Sequence, residues 1–162
     1  MPTTDRLTSL APPWVHLVVL KPGERAESAV RSPRGFVRAV VDGRRARSKA
    51  ALLEEVTRAF RCPAGTGRNW DAIEECLADL EWLPAEGYVL VIDNADELLA
   101  DSPDDYRTFI ELLNDVAFEW AAPRSGQWAR PAAPFHVDLA VAEDREATRT
   151  DWGVPRMARE GG

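Results

Sequence analysis

Four short apolar runs in this chain have the pattern of β-strands. They are Trp14 to Leu20, Phe36 to Val41, Tyr88 to Asn94 and Phe135 to Ala142. All four contain β-branched residues, which are enriched in strands. The run that begins at Tyr88 is apolar almost throughout, which is typical of a strand buried on both faces.

Between these runs, apolar residues recur at helical spacing and predict three helices. One begins after Ser48, one runs from about Asn69 to Leu80, and one from about Asp104 to Trp120. Ser48 and Asn69 are candidate N-caps, because their side chains can accept hydrogen bonds from free backbone N–H groups. The order β, β, α, α, β, α, β favours parallel strands joined by crossover helices. The predicted fold class is therefore α/β.

The flanks differ in composition from the centre of the chain. Residues 1–12 are predicted to be a flexible lead, 13–35 a strand with a loop extension, 36–144 the main domain and 145–162 a mobile tail. The total of 162 residues suits one compact domain. No run of about 18 apolar residues appears, so no membrane span is predicted. No secretory signal is predicted either.

The net charge of −7 is unevenly distributed along the chain. Residues 1–50 hold ten Lys and Arg against four Asp and Glu, and the remainder holds ten against twenty-three. Between Asp71 and Glu119, fifteen acids accompany a single base, Arg107. Phosphate binding needs a basic surface, so this block disfavours direct nucleic-acid binding. It favours a basic partner.

The cysteines and histidines suggest no special chemistry. Cys62 and Cys76 are too few and too oddly spaced for a disulfide framework or a zinc site. We therefore expect reduced thiols and a cytoplasmic protein. His16 and His136 each lie singly in a strand and are interpreted as core or edge residues. No catalytic residue, metal or cofactor is expected.

The stretch from Gly65 to Leu83, GTGRNWDAIEECLADLEWL, carries an unusual acidic face. The apolar stripe expected to pack inward is Trp70, Ile73, Leu77 and Leu80. On another face, Asp71, Glu75 and Asp79 follow at intervals of four, with Glu74 beside them. Like charges at this spacing destabilise a helix by roughly 0.2–0.5 kcal/mol per pair. The face is either simply solvated or a docking surface for a cationic partner.

Two other interpretations of this stretch are disfavoured. Its two glycines do not form a phosphate loop, because no strand precedes them, no Gly-Lys-Ser/Thr follows, and the helix carries acids. Carboxylates on one exposed helical face do not straddle a substrate, so they are not expected to be catalytic. Asp93, at the end of a strand, is interpreted as a strand-end or turn residue without a catalytic partner.

Several motifs occur in a familiar order. They are VVDGRRARSKAALLEEVTRAFRCP, then PAGTGRNWDAIEECL, then YVLVIDNADELL, then YRTFIELLNDVAFEW and FHVDLAV. The most specific element is Gly67-x-Asn69-Trp70-Asp71-Ala72. Over roughly Val40 to Val141, the chain resembles the barstar family, the intracellular inhibitors of microbial guanyl-specific ribonucleases.

This resemblance implies a three-layer α/β fold with a small, mostly parallel sheet and packed helices, here with an extra N-terminal strand. It implies that the second helix and the loop before it plug the active site of a basic, barnase-like ribonuclease. The acids there would imitate RNA phosphates. The implied partner-binding residues are Gly65, Thr66, Gly67, Asn69, Asp71, Glu74, Glu75 and Asp115.

The chain departs from the family prototype at the loop and helix. The prototype has aromatic residues where this chain has Gly65 and Thr66, an aromatic in place of Glu74, and an aspartate in place of Glu75. Aromatic residues are frequent interface hot spots. Two functions therefore stay open: inhibitor or toxin immunity protein against a basic ribonuclease, or a module that docks another basic protein. A small enzyme belongs to the second alternative.

Overall fold

The computed structural model describes residues 5–158, which form a four-stranded sheet with packed helices. The strands are β1 (Val15–Leu20), β2 (Phe36–Asp42), β3 (Gly87–Asp93) and β4 (Phe135–Ala142). Their order is β1-β4-β3-β2, and every neighbouring pair is parallel. The predicted α/β class and the parallel pairing are confirmed, and the N-terminal strand extends the sheet beside β4.

Within residues 5–158, four α-helices connect and flank the strands. They are α1 (Ala26–Ala29), α2 (Lys49–Ala59), α3 (Trp70–Asp79) and α4 (Asp105–Trp120). The longer three begin close to the predicted residues. Ser48 Oγ accepts from Ala51 N at 3.2 Å, which confirms that Ser48 caps α2. Short 3₁₀-helices lie at Asp5–Thr8, Gly43–Arg45, Ala95–Glu97, Gly126–Trp128 and Glu143–Thr148.

The sheet separates two apolar layers, because successive strand residues point to opposite faces. On β3, Tyr88, Leu90 and Ile92 pack into the larger core together with α2, α3 and α4. Val89 and Val91 point to the other side, where α1 and residues from both flanks cover the sheet. The fold is thus three-layered, with the sheet in the middle, as expected from the resemblance.

The flanking segments make specific contacts with the sheet. Arg6 lies within 2.5 Å of the fully buried carboxylate of Asp138 on β4. After β4, the chain returns along β1, where Leu17 N donates to Pro155 O and Met157 N donates to Leu17 O, both at 2.8 Å. These are the segments for which the sequence predicted a flexible lead and a mobile tail. Residues 1–4 and 159–162 lie outside the described part, and the predicted segment boundaries stay predictions.

None of the helices in the described range 5–158 has the length and apolar character needed to cross a membrane.

Candidate functional site

The loop before α3 turns tightly and is fixed by its own hydrogen bonds. Gly65 has a φ of +91°, a backbone conformation that glycine adopts without steric cost. Thr66 donates through both its backbone N and its Oγ1 to Pro63 O, at 3.1 and 2.7 Å. Arg68 Nη1 donates to Thr66 O at 3.0 Å. The loop therefore presents Gly65 and Thr66 in a defined shape at the start of α3.

Asn69 begins α3 in the way that the sequence predicted. Its Oδ1 accepts a hydrogen bond from Ala72 N at 2.8 Å, which satisfies one of the free N–H groups of the first turn. Gly67 lies directly beside this cap, because a Cβ there would stand 3.0 Å from Asn69 Nδ2. Two of the predicted partner-binding residues thus shape the entry to the helix.

The predicted apolar stripe of α3 faces the core. Ile73, Leu77 and Leu80 are fully buried, and the partly buried Trp70 ring stacks on Phe109 of α4 at 6.1 Å between centroids. This packing fixes the rotation of α3 about its axis. Asp71, Glu75 and Asp79 are consequently exposed on the solvent side.

Acids from α4 join those of α3. Burial raises the pKa of Glu74 above its ordinary value, and the negative charges of Asp115, Asp71 and Glu119 raise it further. Carboxylates from both helices therefore share one patch of surface, which we call the acidic face: Asp71, Glu74, Glu75, Asp79, Asp115 and Glu119. The α4 position of Asp115 was carried over from the resemblance, and the structure places it beside Glu74.

Most of this charge is unneutralised. Within residues 5–158, no ion pair involves Asp71, Glu74, Glu75 or Asp115. Glu119 is the exception, because its Oε1 accepts from Arg124 Nη2 at 2.6 Å. A surface of this kind can bind cations, and it opposes phosphate groups.

The expectation of reduced thiols is wrong in this structure, which pairs Cys62 and Cys76 in a disulfide. Cys62 follows the end of α2 and Cys76 lies on α3, with 6.1 Å between their Cα atoms. The chain reverses between the two helices, so residues 14 positions apart become neighbours. The bond encloses the whole loop and the first half of the acidic face. The prediction of a cytoplasmic protein was based on reduced thiols, so the disulfide removes that argument for it.

Residues 121–134, here named the docked loop, lie against α3, which no local pattern in the sequence predicts. Arg124 Nη2 and Arg130 Nη1 both donate to Ala78 O, at 3.1 and 2.7 Å. The last carbonyl groups of a helix, of which Ala78 O is one here, have no hydrogen-bond partner within the helix, and cations are favoured beside them. The Arg130 guanidinium also lies 3.3 Å from the centroid of the Trp120 ring.

The site has the features of a binding surface. The part of the chain covered by residues 5–158 contains no group of three or more His, Cys, Asp or Glu that could hold a metal ion. Asp93 Oδ1 accepts from Asn94 N at 2.9 Å, in keeping with a strand-end residue. The exposed carboxylates of the acidic face can dock a positively charged surface against a rigid helix and loop.

Comparison with known proteins agrees with this geometry. The family described as Barstar (barnase inhibitor) matches residues 36–140. The match runs from the start of β2 into β4, so it includes the loop, α3, α4 and the acidic face. No curated protein matches the chain. Members of the matched family are inhibitors, and the domain indicates a barnase-inhibitor-like or related protein–protein interaction role. Since the match covers well over half of the chain, the protein belongs to the barstar family.

Proposed function

We propose that this protein inhibits a basic microbial ribonuclease, or acts as the immunity protein of a ribonuclease toxin. The acidic face and the loop would enter the active site and occupy the positions of the RNA phosphates. The observation that carries this proposal is the set of unpaired carboxylates on α3 and α4 beside a rigid loop. Ribonucleases hold phosphates with Lys, Arg and His, so the charges are complementary.

The proposed contacts are divided between loop and helices. Gly65, Thr66 and Gly67 would lie against the rim of the active site. Asp71 and Glu75 would reach its cations, with Asp115 completing the set from α4. Glu74 is half-buried between Asp71 and Asp115 and would strengthen the field there. Asn69 would act through the cap that orients the first turn.

The direct test measures inhibition of barnase and binding to it by the purified protein. We expect Asp71→Ala and Glu75→Ala each to weaken binding by about 2 kcal/mol or more, because a buried cation on the enzyme loses its partner. Glu111→Ala is a matched control, since Glu111 is an exposed acid on α4 that pairs with Arg107 at 3.1 Å. If the double variant of Asp71 and Glu75 bound as well as the unchanged protein, the site would be wrong.

A second candidate function is docking of a different basic protein without nuclease inhibition. The observation that favours it is the loop, where Gly65 and Thr66 offer no aromatic side chain to a partner. Affinity capture from a lysate of the source cells separates the two. Recovery of a nuclease supports inhibition, whereas a ribosomal or DNA-associated basic protein without any nuclease supports the second function.

Neither function requires catalysis, and we propose that the protein is not an enzyme. Asp93 offers a check, because it lies at the carboxyl end of a strand in a parallel sheet, where ligands often bind. If the protein turned over a small substrate, and Asp93→Asn abolished that turnover, the proposal that it is not an enzyme would be contradicted. Protection of a producing cell from its own ribonuclease would place the inhibitor in the cytoplasm, which stays a prediction.

A further inference from the structure

A groove of about 770 Å³ runs between α3 and the docked loop. One wall is the solvent side of α3 together with the residues that follow it, and the other is the docked loop. Glu74 and Glu75 of the acidic face belong to its lining, as does Trp128 from the opposite wall. The groove is thus continuous with the surface to which the proposed function assigns the partner.

The wall formed by the docked loop is held firmly. Arg124 and Arg130 exchange two backbone hydrogen bonds, 2.9 and 3.1 Å long, which close the loop at its neck. Their side chains bind the C-terminal carbonyls of α3, and Ala133 N donates to Trp120 O at 2.9 Å. Because both ends of the loop are anchored to helices, its tip occupies a defined position beside α3.

Trp128 lies at this tip, at the end of the 3₁₀-helix Gly126–Trp128, and is 69% exposed. The tip buries none of its own residues, so the ring does not serve the core. A tryptophan face attracts cations through its quadrupole, and tryptophan is a frequent interface hot spot. An exposed tryptophan on a rigid loop suits contact with a partner.

The charged residues that line the groove determine which kind of partner group can enter it beside Trp128. The carboxylates that line it are Glu74, Glu75, Asp79, Glu81 and Glu119. Of the two guanidinium groups, Arg124 is bound to Glu119, while Arg130 is bound to helix carbonyls and the Trp120 ring. In the described part of the chain, Glu75, Asp79 and Glu81 form no ion pair, so the groove is negative.

We propose that this groove receives a Lys- or Arg-bearing segment from the rim of the partner ribonuclease, with Trp128 packed on the cationic side chain. This inference rests on the proposed function and adds to it a second, specificity-determining contact on the docked loop, which faces α3 across the groove. A second copy of the chain suits the groove less well, since each copy carries a net charge of −7.

The test compares Trp128→Ala and Trp128→Phe with the unchanged protein in binding to barnase. We expect a loss of about tenfold for Trp128→Ala, as for a moderate hot spot, and a smaller loss for Trp128→Phe, which keeps an aromatic face. The control is Val40→Ala, another exposed apolar residue, 54% exposed on β2. Circular dichroism of each variant checks that the fold is retained.

A double-mutant cycle then locates the contact. Each Lys and Arg at the rim of the barnase active site is changed to alanine, alone and together with Trp128→Ala. We expect at least one of these cations to couple to Trp128 by about threefold or more. The same cation should couple to Glu75→Ala or Asp79→Ala.

The outcomes separate this inference from the proposed function. If Asp71→Ala weakens binding while Trp128→Ala leaves it unchanged, the groove contact is refuted and the inhibitor function stands. If the unchanged protein does not bind barnase, the same variants are measured against the nuclease that the lysate capture recovers, and recovery of no nuclease overturns both. Sedimentation gives the remaining outcome: a dimer that Trp128→Ala dissociates would mean that the groove holds a second copy, and would also overturn the inference.

Discussion

His136 illustrates how burial constrains a single titratable residue. The side chain is 1% exposed, and its Nε2 donates to Ser9 O at 2.8 Å, because a carbonyl oxygen can only accept. Burial lowers its pKa below the ordinary 6.5, and the charge of Arg6 acts in the same direction. The hydrogen bonds to the backbone of Ser9 and Trp14 and the charge of Asp138 oppose this without reversing it. The ring is therefore held neutral in the folded protein.

His16 on the neighbouring strand has the same tendency. Burial lowers its pKa below 6.5, the charge of Arg6 lowers it further and that of Asp138 raises it, while protonation of His136 would lower it again. Both histidines bind protons more tightly when unfolded than when folded. Stability is accordingly complete above the unfolded value of about 6.5 and is lost as the pH falls below it.

We therefore predict that the free energy of unfolding decreases from about pH 7.5 to about pH 5.5, by up to roughly 1.4 kcal/mol per pH unit for each histidine. Urea unfolding at several pH values measures this. His136→Gln should lose less stability over the same interval, since Gln can donate to Ser9 O without titrating. An equal decrease in the variant would show that other groups dominate.

At the scale of elements, α3 was the most predictable part of the site. Its start follows from Asn69 and its buried side from four apolar residues, and both signals are local in sequence. The packing of Trp70 on Phe109 then determines that Asp71 and Glu75 are exposed. Local patterns therefore predicted the helix and the direction of its acids.

The contacts between elements could not be predicted in this way. The pairing of Cys62 with Cys76 depends on how α2 and α3 pack, and two isolated cysteines carry no spacing signal for it. Arg124 and Arg130 bind Ala78 across 46 and 52 residues of sequence, in a loop without periodicity. That loop contains two Arg and one Trp, and these residues do not identify the element against which the loop packs.

The disulfide leads to a prediction about the loop and α3. Closing a loop of about 15 residues restricts the unfolded chain, and this stabilises the folded state by about 3 kcal/mol in the chain-entropy account. We expect a reducing agent, or Cys62→Ser with Cys76→Ser, to lower the free energy of unfolding by roughly this amount. We also expect weaker binding to the nuclease, because the loop is less preorganised.

Urea unfolding with and without reductant provides the measurement, and the double cysteine variant is the control that should not respond to reductant. Alkylation before reduction, followed by mass spectrometry, tests the premise directly. Two labelled thiols in the untreated protein would contradict the disulfide.

At the scale of the molecule, the two faces of the sheet differ in what they carry. One face carries α2, α3 and α4, and with them the acidic face and the groove. The opposite face is covered by α1 and the flanks, including the ion pair between Arg6 and the buried Asp138, 132 residues apart. The order of elements predicted the parallel sheet, whereas this long-range cover depends on contacts that no local pattern encodes.

The uneven distribution of charge gives the final prediction, which concerns the rate of association. The acidic face is exposed and largely unpaired, so its field should steer a basic nuclease toward the site, as in the barnase complex of the family prototype, a known example of such steering.

Salt screens this field, with a Debye length of about 10 Å at 0.1 M and about 3 Å at 1 M. We therefore expect the association rate constant with barnase to fall by about tenfold or more between about 0.05 M and about 0.5 M NaCl, while the dissociation rate constant changes less. Stopped-flow fluorescence measures both. Asp71→Ala with Glu75→Ala should flatten the salt dependence, whereas Trp128→Ala should leave its slope intact and act on dissociation, because an uncharged ring contributes contact without long-range attraction. An association rate constant that is independent of salt would exclude steering by the acidic face.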